Sequence, residues 1–168
     1  MTDPVFGDRS GESEIMSVVM RRLNAAPRSR GELFTYLLDR EFDPILIERV
    51  LDRVSAMGYI DDTAYAQEWV RSRHRSRGLA PSVLKRELVS KDIDLEVIEL
   101  ALEQLTVEDT HARAYELAAK KYRSLMSVEH AVAVRRIASL LQRKGYSPSI
   151  CFQVAKETVG VEIELNTE

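Results

Sequence analysis

The sequence predicts an all-α protein built from three tandem three-helix repeats, about nine helices stacked into an elongated, curved array. Three observations predict it. Apolar residues recur at helical spacing between short stretches rich in capping residues, glycine and proline. No stretch alternates polar and apolar residues as a strand would, and no Asn-Gly or Asp-Gly hairpin signal is present. The helical pattern also repeats at a fixed offset. Adding 51 to Leu33, Leu37, Leu38, Phe42, Asp43, Ile47, Val50, Leu51 and Val54 gives Leu84, Leu88, Val89, Ile93, Asp94, Ile98, Ala101, Leu102 and Leu105. Adding 53 to that second set gives Ile137, Leu141, Gln142, Tyr146, Ser147, Cys151, Val154, Ala155 and Thr158, a looser copy. The repeats fall at 13–57, 61–105 and 108–159, after a flexible N-terminal stretch 1–12 and before a tail 160–168.

Each element has a local cause. Ile15, Val18, Val19 and Leu23 space a first helix that stops before Pro27. Ser29-Arg30-Gly31-Glu32 is a capping box, and Leu33, Phe34, Leu37 and Leu38 face inward on the second helix. Asp43-Pro44 caps and opens a third helix lined by Ile47, Val50, Leu51 and Val54. Gly58 suits the left-handed position past its end, Asp61 caps the fourth helix, and Ile60 with Tyr65 forms a hydrophobic staple. Tyr65, Ala66, Trp69 and Val70 make that helix's core face. Gly78 stops it, Pro81 opens the fifth helix and Asp94 caps the sixth. In the third repeat, helices near 108–125 and 128–144 precede a last helix that Gly160 ends.

Composition narrows the functional classes. With 45% apolar and 30% charged residues the chain of 168 residues is an ordinary folded protein. Its net charge of -3 means that attraction to nucleic acid must come from a local patch. The single cysteine, Cys151, between Ile150 and Phe152, reads as an inert buried thiol. His74, His111 and His130 lack metal-ligand spacing, and no GxxxxGK run cradles a nucleotide. No carboxylates sit paired on an apolar face. These features argue against an enzyme, a metal and a cofactor. With no long apolar run and no signal segment in the sequence, the expected compartment is the cytoplasm by default, and a monomer is expected.

The functional hint is a basic block. Arg71, Arg73, Arg75, Arg77, Lys85 and Arg86, with His74 among them, occupy 71–86 with no carboxylate before Glu87. Helical geometry turns Arg71, His74 and Arg75 away from the Trp69 and Val70 face, towards water or a partner. Arg73 and Arg77 lie closer to the core and lay their alkyl stems over it. Lys85 and Arg86 can continue the patch, and Tyr59, beside the junction glycine, completes the candidate contact set. A second basic region holds Lys120, Lys121, Arg123, Arg135, Arg136, Arg143 and Lys144, separated from the first by an acidic stretch from Asp92 to Asp109.

Gly58-Tyr59-Ile60-Asp61-Asp62, then Tyr65-Ala66, Trp69-Val70, Arg73, Gly78, Pro81 and Glu87-Leu88 resemble the central motif of the RecX family, regulators of bacterial RecA-type recombinases. Arg28 to Leu33 resembles the family's first-repeat motif and Lys144-Gly145-Tyr146-Ser147 its third-repeat junction, so the resemblance spans about Ser13 to Val159. Lys91-Asp92-Ile93 departs from the family in carrying aspartate where glycine is common, and Gly78-Leu79-Ala80-Pro81 lacks the glycine before proline. The resemblance implies a non-enzymatic protein that lies in the groove of a RecA–DNA filament and modulates, mostly inhibits, ATPase and strand exchange in recombination, DNA repair and the SOS response. It implies no cofactor and does not single out contact residues. The rival reading is a helix-turn-helix-like module that binds DNA independently, weakly and with steep salt dependence.

Overall fold

Helix begins as early as Pro4. The structure, a computed structural model, describes residues 4–165, and the side chains of residues 10–160. Among the described residues there are nine helices and no strand: α1 (Pro4–Ala25), α2 (Arg30–Leu38), α3 (Pro44–Ala56), α4 (Asp62–Arg77), α5 (Pro81–Val89), α6 (Leu95–Leu102), α7 (Val107–Tyr122), α8 (His130–Arg143) and α9 (Pro148–Leu165). Two expected boundaries move outward. The stretch 1–12 was expected to be irregular, but α1 opens at Pro4, a residue suited to a first turn, and the part from Gly11 is held by α3. A Cβ on Gly11 would lie 2.9 Å from Leu46 Cδ1, and Glu12 meets Arg49 at 3.5 Å and Arg53 at 2.9 Å. That anchoring uses a glycine contact and ion pairs, so apolar periodicity does not reveal it. Gly160 does not stop α9 because its φ is not positive, and the helix runs on to Leu165. Residues 1–3 and 166–168 of the expected termini lie outside the described residues.

The helices form two compact units, and the cut falls within the middle repeat. One unit runs up to Glu68 and adds Leu88–Glu99; the other comprises Trp69–Glu87 and the chain from Leu100 onward. In the first, α1 and α2 pack on α3 around Ile15, Val19, Leu33, Leu37, Ile47, Val50, Leu51 and Val54, all fully buried. Leu38, expected inward, is 45% exposed. In the second, α7, α8 and α9 pack on one another around Ala114, Ala118, Ile137, Leu141, Val154 and Ala155. Cys151 lies in this core, 2% exposed, and burial pushes its thiol pKa up, as expected of an inert cysteine.

Local signals are realised atom by atom. Ser29 Oγ accepts from the Glu32 N–H while the Glu32 carboxylate accepts from the Ser29 N–H, the reciprocal pair of a capping box. Asp43 accepts from Ile45 and Leu46 N–H ahead of Pro44, and Asp61 accepts from Ala64 N–H at the start of α4. At the start of α6, Asp94 contributes its backbone carbonyl to Ile98 N–H.

The sequence offsets are also offsets of backbone geometry. After α2, α5 and α8 the chain passes through a left-handed residue: Glu41 (φ 63°), Asp92 (φ 53°) and Gly145 (φ 91°). Each of these N–H groups bonds the carbonyl three residues back, at Leu38, Val89 and Gln142. The next N–H reaches back five, from Phe42 to Leu37, Ile93 to Leu88 and Tyr146 to Leu141. This is one Schellman closure at the same place in each repeat, and α3 closes in the same way through Gly58. Aspartate at 92 therefore takes the backbone role that glycine plays at 145, a conformation its short polar side chain tolerates.

Each compact unit contains one joint between successive repeats, built to one plan. In the first unit Ser29 Oγ donates to the Lys91 carbonyl at 2.7 Å, and Gly31 abuts Asp92. In the second, at positions offset by 51 and 53, the Ala80 N–H donates to the Lys144 carbonyl at 2.9 Å and Ser82 Oγ to the Gly145 carbonyl at 2.6 Å. The first joint is reinforced by charge. Lys91 Nζ lies 2.7 Å from Glu32 Oε1, and the Tyr65 hydroxyl donates to Glu32 Oε2 at 3.3 Å. Burial pushes the Glu32 carboxyl up, but hydrogen bonds from Lys91 and the Ser29 N–H, with the Lys91 charge, outweigh it and hold the pKa below its usual 4.5. The Arg30 N–H donates to Asp62 Oδ1 at 2.9 Å, yet burial keeps the Asp62 pKa raised.

Candidate functional site

The second half of α4 supplies the predicted basic block from Arg71 to Arg77, and three residues of that stretch line one concavity. Arg71 and Arg75 are exposed and stand one helical turn apart, about 6 Å along the axis. With His74 they form one wall of a groove of about 510 Å³ whose other residues are Gln104, Leu105, Asp109, Ala112, Arg113 and Glu116. Arg113 is tied into the groove. Its Nη1 meets Glu116 Oε2 at 2.5 Å and its Nη2 donates to the Arg75 carbonyl at 2.6 Å, satisfying an acceptor in the last turn of α4. The lining thus mixes arginines with two carboxylates, Asp109 and Glu116.

His74 is not the solvent-facing residue that was expected. It lies four residues after Val70 and eight after Ala66, so it continues their buried stripe rather than leaving it. It is 8% exposed, and its Nδ1 lies 2.9 Å from the Leu79 carbonyl, bridging the turn that follows α4. Trp69 and Tyr65, expected in the core, are only half-buried. The Trp69 ring lies beneath the Arg73 guanidinium, 4.1 Å from its centroid, and its Nε1 donates to Glu87 Oε2 at 2.8 Å. Arg73 thereby plays the packing role expected of it, on an aromatic face.

The remaining predicted residues do not line this groove. Lys85 is partly buried and Arg86 exposed on α5, while Tyr59, 57% exposed, belongs to the first compact unit. Arg71 and Lys85 also interact within the chain, so the basic block is less bare than its sequence suggests. Arg113, Asp109 and Glu116 were missed as site residues. Helical periodicity assigns each a face on its own helix but carries no information on which helix lies opposite.

A second concavity is purely basic in its charged residues. A groove of about 480 Å³ between α7 and α8 is lined by Lys121, Val132, Arg135, Arg136, Ser139 and Arg143. These cations were visible in the sequence as a basic region, but not as a single site. Among the described residues no group of three or more His, Cys, Asp or Glu side chains could hold a metal ion, and no helix is long and apolar enough to cross a membrane.

Comparison with known proteins gives one consistent result. Family models match in chain order: the first RecX three-helix domain over residues 16–53, the second over 61–102 and the third over 108–155. The chain is 36% identical over 156 residues to the regulatory protein RecX of Streptomyces coelicolor, covering 93% of this chain and 83% of that one. It is 34% identical over 162 residues to the regulatory protein RecX of Mycobacterium leprae, covering 96% and 94%. Its fold matches the crystal structure of RecX from Lactobacillus salivarius with a TM-score of 0.80 at 23% identity, over 89% of this chain and 97% of that one.

Proposed function

Because the chain belongs to the RecX family of regulatory proteins, we propose that it acts by binding a RecA-type recombinase filament assembled on DNA and lowering its ATPase and strand-exchange activity. The observation that carries this reading is the α4–α7 groove. Exposed Arg71 and Arg75 stand beside the carboxylates of Asp109 and Glu116 in one concavity. A surface of mixed sign fits an oppositely patterned protein face and repels a uniform polyanion at its acidic positions. The protein itself performs no chemistry in this reading, and the effect on ATP hydrolysis is exerted on the partner enzyme.

The test is binding to filaments of the cognate recombinase on single-stranded DNA. Replacing Arg71 and Arg75 together by glutamate should leave helicity and melting close to wild type and weaken filament binding at least tenfold, about 1.4 kcal/mol. Wild-type protein should lower the DNA-dependent ATPase rate when present at one molecule per many recombinase subunits. Unaltered filament binding by the double variant would remove the groove from the mechanism. The alternative, a module that binds DNA independently of a recombinase, draws support from the basic α7–α8 groove. Affinity for filaments no greater than for bare single-stranded DNA at physiological salt would favour it.

A further inference from the structure

We propose that the turn after α2, from Asp39 to Phe42, is a docking surface for the start of a helix in another protein. That helix carries a hydroxyl cap, a glycine at its second helical position and a carboxylate at its third. The turn belongs to the first compact unit and shares no residue with the α4–α7 groove.

The chain builds one kind of joint twice and leaves its counterpart vacant. The start of α2 sits on Lys91 and Asp92, and the start of α5 sits on Lys144 and Gly145. Each lysine carbonyl accepts from the incoming helix start, from Ser29 Oγ in one case and the Ala80 N–H in the other. By the same offsets the corresponding turn of the first repeat is Arg40 and Glu41, closed by the same backbone bonds and exposed. Among the described residues no group donates to the Arg40 carbonyl. Phe42 shows the missing cover. Its counterparts Ile93 and Tyr146 are 5% and 4% exposed, whereas Phe42 is only partly buried.

Charge specifies the occupant. In the first joint Lys91 Nζ meets the carboxylate of Glu32, the third residue of α2, at 2.7 Å. Arg40 holds the place of Lys91, yet among the described residues no carboxylate pairs with it, and its guanidinium lies over the Tyr36 ring. Arg22 crowds the same ring at 3.6 Å from the centroid, and its buried Nε has no hydrogen-bond partner. Two cations thus gather at the vacant turn, complementary to an incoming carboxylate.

Size specifies the rest. Each joint admits one Cβ at its tightest point: Gly31 faces the Cβ of Asp92, and Gly145 faces Ser82 and Val83. Glu41 brings a Cβ to that point, so the incoming helix must bring glycine. This chain cannot supply such a helix from a second copy. Its Ser29–Glu32 start is engaged at Lys91, and adding 53 to Ser82 gives Arg135, inside α8, where backbone N–H groups are already bonded within the helix.

The test titrates the isotope-labelled full chain with a hydrocarbon-stapled helical peptide of sequence 27–39, which carries the Ser-Arg-Gly-Glu start. Amide signals of residues 39–42 should move and saturate. Arg40→Glu should weaken this binding at least about tenfold with melting unchanged, because repulsion of the peptide's carboxylate replaces attraction. Gly31→Ala within the peptide should abolish binding to wild type, and Glu41→Gly in the protein should restore it, since glycine suits the left-handed φ of 63°. Signals at 39–42 that stay still would overturn the assignment, as would equal binding of both peptides to wild type. Movement confined to Lys91 and Asp92 would do the same, because the peptide would then be displacing α2 from its own joint. Self-association of the wild-type chain in sedimentation, abolished by Arg40→Glu, would give the turn to a second copy and overturn the partner class. No recombinase enters these measurements, so this surface and the filament reading stand or fall separately.

Discussion

A Cβ placed on Gly31 would sit 2.2 Å from the Cβ of Asp92 and 3.0 Å from the carbonyl oxygens of Lys91 and Asp92. Helix propensity alone favours alanine over glycine in α2 by about 1 kcal/mol. Here the sign reverses, because alanine must push the 91–92 turn away and with it the Ser29–Lys91 and Glu32–Lys91 bonds. Gly31→Ala should destabilise by roughly 2–3 kcal/mol in denaturant unfolding. Removing the opposing Cβ offers the remedy. Asp92→Gly, at a left-handed φ of 53°, should restore at least about 1 kcal/mol in the double variant, a coupling that a double-mutant cycle reads directly. The equivalent joint in the second unit already places its glycine on the other side, with Ser82 against Gly145. A stabilising Gly31→Ala would mean that the joint yields freely.

Much of this fold is written locally, and what is not local is what the sequence withheld. Ser29 with Glu32, Asp43 with Pro44, and the 51- and 53-residue offsets each act within a few residues or repeat in register, and each appears in the structure. His74 escaped because a run of charged residues around it masked the four-residue step from Val70. Leu38 is apolar and at helical spacing, yet it is only partly covered. The grooves escaped for a different reason. Arg113 meets Arg75 across 38 residues, and Lys121 faces Arg135 from a neighbouring helix, relations that depend on packing between helices rather than on any one helix's pattern.

The Glu32–Lys91 pair should give the first unit a pH-dependent increment of stability. The Glu32 pKa is lowered in the folded state, so its contribution is present above the ordinary 4.5 and is lost as pH falls through the lower folded value. The Lys91 pKa is the net of burial, which lowers it, and the Glu32 hydrogen bond and charge, which raise it above 10.5. Its contribution is present below 10.5 and is lost as pH rises through the folded value. Between those limits Lys91→Met should cost about 1–2 kcal/mol, the low end for a hydrogen bond to a charged group because the pair is partly screened by water. The difference from wild type should shrink at both extremes. A difference independent of pH would show that the lysine acts through its alkyl stem.

In the second unit the Tyr146 hydroxyl donates to the Gly78 carbonyl at 3.1 Å, and both residues are buried. Gly78 closes α4 in the left-handed conformation, φ 62°, so the bond fixes the turn that also receives the Lys144 ammonium at the Arg77 carbonyl. Burial pushes the Tyr146 phenol up to about 12, with the Arg113 charge opposing and Cys151 and Glu116 adding to it. A folded pKa above the unfolded value of 10 means that this residue's stabilisation is whole below pH 10 and declines as pH climbs towards 12. Tyr146→Phe leaves the Gly78 carbonyl without its donor and should cost about 1–2 kcal/mol near neutral pH. The phenolate absorbance titration of the folded protein should lose its latest step in the variant. If Tyr146→Phe were as stable as wild type and kept that step, the hydroxyl would be solvated and the turn would be held by His74, Lys144 and the glycine without it.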